Sequence, residues 1–264
     1  MGQNRSSAVM AARREPKDAL DYFPTPPWAT RALCEFLRRD GAIDRGTSVW
    51  EPACGAGHMS RPLAEYFAKV WSSDVEDRGF GEVRDFLWPG DDPRADWIVT
   101  NPPFRLADQF APKALNSGAA GVALLTRTVF VEGAGRFWDL FHPHPPSDIL
   151  QFSERVPMVK DKLDEDASTA TAYAWIVWRG HPQETRFRWV GPCRKRLERQ
   201  GDYAAVGAHP EPVEGRRSAV GAHPEPVEGR RSAVGPHPEL VEGRRSAVRK
   251  SRTSAASSAV AEAI

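Results

Sequence analysis

Between residues 15 and 201, short apolar runs of strand length alternate with segments whose apolar residues recur at helical spacing, which leaves few architectures open. Leu33, Phe36 and Leu37 share one face of a helix expected over residues 29–39. Residues 47–50 read as a strand, 60–68 as a helix carrying Leu63, Tyr66 and Phe67, and 69–73 as a second strand. Strands at 96–100, 121–126, 149–152 and 172–179 follow, with helices at 106–116 and 136–141 between them. Such alternation predicts an α/β domain in which a mainly parallel central sheet is covered by helices on both faces. Open sheets of this kind bind ligands beyond the carboxyl ends of their strands, where strand order reverses. The residues that follow each strand are therefore the candidates for function.

The remaining sequence does not extend that pattern. The string AVGAHPEPVEGRRS occupies 205–218 and again 219–232, and AVGPHPELVEGRRS occupies 233–246. Each unit offers only Ala, Val and an occasional Leu as apolar material, broken by Pro and Gly, too little to offset the entropy of ordering a chain. The expected organisation is a flexible N-terminus over 1–14, one folded domain over 15–201, and a disordered low-complexity tail over 202–264. An Arg-Arg-bearing arm that holds a polyanion is the functional alternative for the tail, but the glutamates of each repeat nearly cancel its charge.

Lys plus Arg number 36 against 35 Asp plus Glu, so no bulk basicity advertises a nucleic-acid partner. No apolar run approaches the roughly 20 residues that span a bilayer, and Met1 to Lys17 lacks the apolar stretch of a secretory signal. A soluble, cytoplasmic protein without a membrane partner is the expectation. Cys34, Cys54 and Cys193 are odd in number and widely spaced, and read as reduced thiols rather than a disulfide framework or a zinc site. His142 and His144 in a proline loop lack an evident third ligand, and no metal is expected.

After the strand ending in Val49-Trp50 comes Glu51-Pro52-Ala53-Cys54-Gly55-Ala56-Gly57, then a helix. Two glycines one residue apart allow a tight turn and close approach to a ligand, although a purely structural turn explains G-x-G equally well. The preceding Glu51 separates this loop from a phosphate cradle, because a carboxylate there suits a cationic ammonium, and no Gly-Lys-Ser or Gly-Lys-Thr follows. Asp74 ends the next strand, where an acid can accept hydrogen bonds from both hydroxyls of a ribose. Asp85 and Phe86 suit an adenine amino group and ring face, or equally a turn acid beside a core aromatic. His58 reads as the start of a helix, without a catalytic role.

The most specific signal is Asn101-Pro102-Pro103-Phe104, directly after the strand DWIVT. The amino nitrogen of adenine shares its lone pair with the ring and is a poor nucleophile. The Asn101 side-chain oxygen and the Pro102 carbonyl can accept its two hydrogens and steer the nitrogen toward tetrahedral geometry. Phe104 can stack on the base, a contact worth roughly 1–3 kcal/mol. Consecutive prolines, Pro102 and Pro103, hold the corner stiff before substrate arrives.

In this order, WEPACGAG, SSD and DWIVTNPPF resemble the amino-methylating branch of the S-adenosylmethionine (SAM)-dependent methyltransferases, especially the DNA adenine methyltransferases of bacteria and their phages. Asp21-Tyr22-Phe23-Pro24-Thr25-Pro26 resembles the family's segment that folds over the methionine end of the cofactor. The resemblance covers approximately 15–200. It implies a Rossmann-like class I methyltransferase domain with SAM as cofactor and DNA as partner, acting on the exocyclic amino group of adenine. By the same resemblance Glu51, Ala53, Gly55 and Gly57 line the methionine part of SAM, Thr25 helps with its carboxylate, Asp74 holds its ribose, and Asp85 and Phe86 its adenine. Asn101, Pro102, Pro103 and Phe104 hold the target amine. Two alternatives stand beside this: the same chemistry on RNA bases or protein glutamine amides, and a cofactor-binding but inactive module.

The chain departs from the family pattern in having no room for a separate target-recognition domain between Phe104 and Gln200. Either the chain discriminates little between sequences, or short loops at 141–147 and 155–171 read the target, or another protein does; the second loop is polar, without periodicity and expected to be a mobile, solvated connection. Arg186, Arg188, Arg194, Lys195, Arg196 and Arg199 gather around Phe187 and Trp189. They suit phosphate contacts, or equally a charged final strand and helix.

Overall fold

Apolar alternation along the strands decides how the sheet is covered. In the computed structural model, eight strands form one sheet in the order β3-β2-β1-β4-β5-β7-β6-β8. They are β1 (Ser48–Glu51), β2 (Lys69–Asp74), β3 (Glu82–Val83), β4 (Trp97–Thr100), β5 (Gly121–Arg127), β6 (Asp148–Phe152), β7 (Tyr173–Arg179) and β8 (Arg186–Val190). All pairings are parallel except those of β7, which runs antiparallel to both β5 and β6. The structure describes residues 21–180 and 184–204. The chain divides into two units, Met1–Glu211 and Pro212–Ile264, and the described residues lie in the first. The expected flexible N-terminus and the repeats fall outside the described residues.

Successive residues of the central strands feed opposite faces, as a pleated backbone requires. Val49, Trp97, Val99, Ala123, Leu125, Trp175 and Val177 pack on one side with α1 (Pro27–Arg39), which contributes Trp28, Leu33 and Leu37. Trp50, Ile98, Val122, Leu124 and Ile176 pack on the other with α3 (Ala107–Leu115), which contributes Phe110, Ala111 and Ala114. Each fully buried Leu or Ile supplies about 1.5–3 kcal/mol relative to exposure, so both faces must stay covered. α1 starts at Pro27, whose missing N–H costs nothing at a helix N-terminus, and ends with Arg38 and Arg39 facing its negative pole.

The α/β architecture is the one expected, with differences at its margins. α2 (Ser60–Leu63) is one turn, followed by turns rather than a helix to residue 68. The expected helix at 136–141 is a single α-turn, α4 (Ala134–Arg136), running into a wider turn, Phe137–Phe141, in which His142 N–H reaches the Phe137 carbonyl at 2.8 Å. Gly133, Gly135 and Pro143 bracket it too closely for a helix to propagate. The 155–171 loop is not simply solvated: Val156 and Met158 are buried in the α1-side core. An apolar pair two residues apart is too short for periodicity to register.

After β8 comes a one-turn helix, α5 (Arg194–Leu197). Arg31 of α1 is buried and donates to Glu65, to the Leu197 carbonyl at 2.8 Å and to Asp202 at 2.7 Å. Asp202 lies just past the expected boundary at 201, yet it completes this cluster.

Candidate active site at the carboxyl ends of β1 and β4

From β1 and β4 the strand order runs outward in opposite directions, to β2 and β3 on one side and to β5 on the other. Glu51 ends β1 and Asn101 follows β4, so both flank the switch point where open sheets bind ligands. A cavity of about 260 Å³ opens there. Thr25, Glu51, Ala53, Asp74, Asp85, Phe86, Asn101, Pro102, Pro103 and Phe104 all line it, while Gly55 and Gly57 do not.

Glu51 is 1 % exposed and accepts a hydrogen bond from the Ser60 hydroxyl. Burial pushes its pKa up to about 8, against the pull of Ser60, and the negative charge of Asp74 adds to the rise. Among the described residues no lysine or arginine pairs with it. Asp74 accepts the Gly55 N–H at 2.8 Å on one oxygen and the Glu76 N–H at 3.0 Å on the other. Each oxygen keeps a lone pair for a further donor.

The glycines act beneath this wall rather than in it. Gly55 has φ +52°, and a Cβ there would overlap the Tyr22 ring, which lies over the loop and accepts the Ala56 N–H at 3.3 Å. Arg78 stacks on the same ring, 4.1 Å from its centroid. Gly57, at φ +81°, makes room for Phe80 and donates to the Cys54 carbonyl at 2.8 Å. Asp85, which lines the cavity, closes a turn by accepting the Leu87 N–H at 2.8 Å on one oxygen. Phe86 shows the cavity only a small surface and packs edge-on against Trp50, with ring centroids 5.2 Å apart. His58 also lines the cavity, and burial lowers its pKa to about 4, which keeps it neutral.

At the corner after β4, the Asn101 amide nitrogen donates to the Phe23 carbonyl at 2.8 Å, the Thr25 hydroxyl at 3.0 Å and the Met158 sulfur at 3.6 Å. A carbonyl can only accept, so the Phe23 contact fixes which end of the carboxamide faces it. The amide oxygen is buried and has no partner. Leaving such an acceptor unpaired costs about 1–3 kcal/mol, recovered when a ligand donates to it. The sequence suggested that Thr25 serves the cofactor carboxylate; here its hydroxyl is engaged with Asn101 and with Met158, 3.9 Å away. Met158 was not legible as a site residue, because nothing in its polar loop marks it.

Phe104 packs against Phe23 and Tyr173, with ring centroids 5.3 and 5.9 Å away, and carries the Arg127 guanidinium 4.2 Å from its own centroid. Of the basic residues that the sequence offered for phosphate contact, four have carboxylate partners. Arg186 and Arg188 bind buried Asp148, Arg194 pairs with Glu198 and Arg199 with Glu65. Among the described residues no cluster of His, Cys, Asp or Glu is arranged for a metal, and no helix is long and apolar enough to cross a membrane. All three cysteines are buried free thiols.

No protein-family model and no curated protein matches the chain. Solved structures do. The methyltransferase subunit of a type I restriction-modification system from Streptococcus thermophilus is similar with a TM-score of 0.50 and 11% identity, over 70% of this chain and 50% of that one. The chain thus spans half the length of that subunit. A Pyrococcus horikoshii protein described as an RNA methyltransferase gives 0.48 and 20% identity, over 65% of this chain and 96% of that one. Magnesium protoporphyrin IX methyltransferase from Synechocystis, solved with bound SAM, gives 0.42 and 15%, over 66% and 92%. The shared feature is the fold: a Rossmann-like sheet, mostly parallel, with helices on both faces.

Proposed function

We propose that this chain is a SAM-dependent methyltransferase that acts on the exocyclic amino group of adenine in DNA. The observation that carries the reading is the Asn101 carboxamide, whose nitrogen is engaged with Phe23, Thr25 and Met158 while its oxygen is buried without a partner, in a residue that lines the cavity. A group built in this way seeks a hydrogen-bond donor. An amine or amide supplies one; a carboxylate or an alkoxide does not.

The residues opposite fit SAM. Glu51, buried and without a cation, suits the methionine ammonium, whose arrival favours the ionised carboxylate. Asp74 keeps acceptor capacity for the ribose hydroxyls, and Asp85 with Phe86 borders the space for adenine. Tyr22 closes the loop from above. When bound, SAM supplies an electrophilic methyl group on a sulfonium sulfur. The chain's own work is orientation: Asn101 Oδ1 and the Pro102 carbonyl each accept one amino hydrogen, and Phe104 offers its ring to the base. The amine gains nucleophilicity as its lone pair leaves conjugation, and its surplus proton departs to water after transfer. An adenine in a duplex must first be extruded, at a cost of a few kcal/mol.

The test is transfer of labelled methyl from SAM to unmethylated DNA, to RNA and to a protein fraction. DNA is expected to accept the label at adenine, and Asn101→Ala should reduce transfer at least about a hundredfold while calorimetry shows SAM still bound. Label entering only RNA or only protein moves the target to that class. Absence of SAM binding overturns the proposal.

A further inference from the structure

The arginines near the cavity come with carboxylate partners. Arg78 pairs with Glu76, Arg105 with Asp21, and Arg136 with Asp108. Arg127 differs, because among the described residues no carboxylate pairs with it. It is the last residue of β5, it is exposed, and its guanidinium lies on the Phe104 ring. Its backbone is fixed by pairing with Tyr173 of β7, so the base of the side chain sits on the sheet rather than on a loop. Phe104 belongs to the cavity wall and Arg127 does not; the guanidinium meets that wall through the Phe104 ring.

An uncompensated cation on the ring that is offered to the target is a specific placement. Its five N–H donors form a planar fork matched to phosphate geometry. In a nucleotide the phosphate is one sugar away from the base. A base stacked against Phe104 therefore brings its own or a neighbouring phosphate within the compass of a guanidinium that shares the ring. A glutamine side chain in a protein carries no obligatory anion at that distance. We propose that Arg127 is a phosphodiester-binding residue that positions the strand carrying the target base, making the substrate of this site a nucleic acid. This rests on the methyltransferase reading above. Such a contact sets register and affinity but carries no sequence information.

The experiment measures binding of a fluorescent DNA oligonucleotide to the full chain by anisotropy across a salt series, for wild type, Arg127→Gln and Arg127→Lys, with SAM binding followed by calorimetry. Loss of one phosphate contact should lower the slope of log affinity against log salt by about 1, and Arg127→Gln should bind several-fold more weakly at low salt. Arg127→Lys should retain the slope, since a point cation still displaces one counterion. SAM affinity should be the same in all three. An unchanged slope in Arg127→Gln overturns the proposal, and so does a fall in methyl transfer with DNA affinity intact, which would make Arg127 a support for Phe104 alone. A wild-type chain that methylates DNA while Arg127→Gln leaves the slope unchanged isolates the failure to Arg127. A wild-type chain that neither binds SAM nor methylates nucleic acid defeats the underlying reading and this proposal with it.

Discussion

Glu51 and Asp148 are both buried carboxylates at the ends of strands, 1 % and 0 % exposed, and the fold treats them in opposite ways. Asp148 opens β6 at the end of the sheet remote from the cavity and receives Arg179, Arg186 and Arg188 at 3.3, 3.1 and 2.8 Å. Burial alone would raise its pKa, but hydrogen bonds from Arg188 and Arg186 outweigh that and lower it. Glu51 closes β1 at the cavity, meets only a serine hydroxyl, and is pushed up to about 8. One acid is completed by its own chain. The other has no cation among the described residues, the property on which the proposal that it receives an ammonium group rests.

The sharpest way to break this comparison is to neutralise each acid in turn. Asp148→Asn leaves guanidinium groups packed around a neutral amide and should cost about 3 kcal/mol of stability, read by chemical denaturation, with little effect on SAM affinity. Glu51→Gln should leave stability unchanged or slightly improved and weaken SAM binding by about 2 kcal/mol, roughly thirtyfold, by calorimetry. If both substitutions destabilise alike, the distinction fails. The pH dependence carries the same contrast with opposite sign. The Asp148 contribution is present above the ordinary aspartate range and is lost as pH falls through its lowered pKa. For Glu51 the folded chain keeps a proton that the unfolded chain has released from roughly pH 4.3 upward. Its contribution therefore falls as pH rises toward about 8. Over that window SAM affinity should rise by up to about tenfold per pH unit with proton release, detectable as a dependence of binding heat on the buffer.

Asn101 repeats the contrast within one side chain, its nitrogen saturated and its oxygen bare. Thr25→Val and Met158→Leu each remove one of the acceptors that hold it. They should lower kcat about fivefold, near 1 kcal/mol, without moving SAM affinity. A loss confined to SAM binding would instead return Thr25 to the cofactor carboxylate.

Much of this was legible because the chain obeys local rules where it is regular. Alternation of Val49 with Trp50 and the helical spacing of Leu33, Phe36 and Leu37 mark the elements that became β1 and α1. The acid-glycine loop and the Asn-Pro-Pro-Phe corner stand out because their residue types are costly anywhere but at a turn. The misreadings have one source, contact between residues remote in sequence. Met158 reaches Asn101 across 57 positions, and no local pattern announces it. Gly55 and Gly57 were correctly marked as turn residues, but that the space they leave is taken by Tyr22 and Phe80 depends on tertiary packing. The basic cluster near the end of the domain stayed open between phosphate contact and a charged strand and helix because Asp148 is distant along the chain.

The Arg31 cluster joins the first helix to a carboxylate 171 positions later. A ribosome delivers α1 long before it delivers Asp202, so the nascent helix must wait with its guanidinium in water or provisionally paired with Glu65. The first helix of the described residues is thus among the last to be locked. The closing latch of this domain is threaded through its beginning, and its assembly depends on chain that translation has yet to provide.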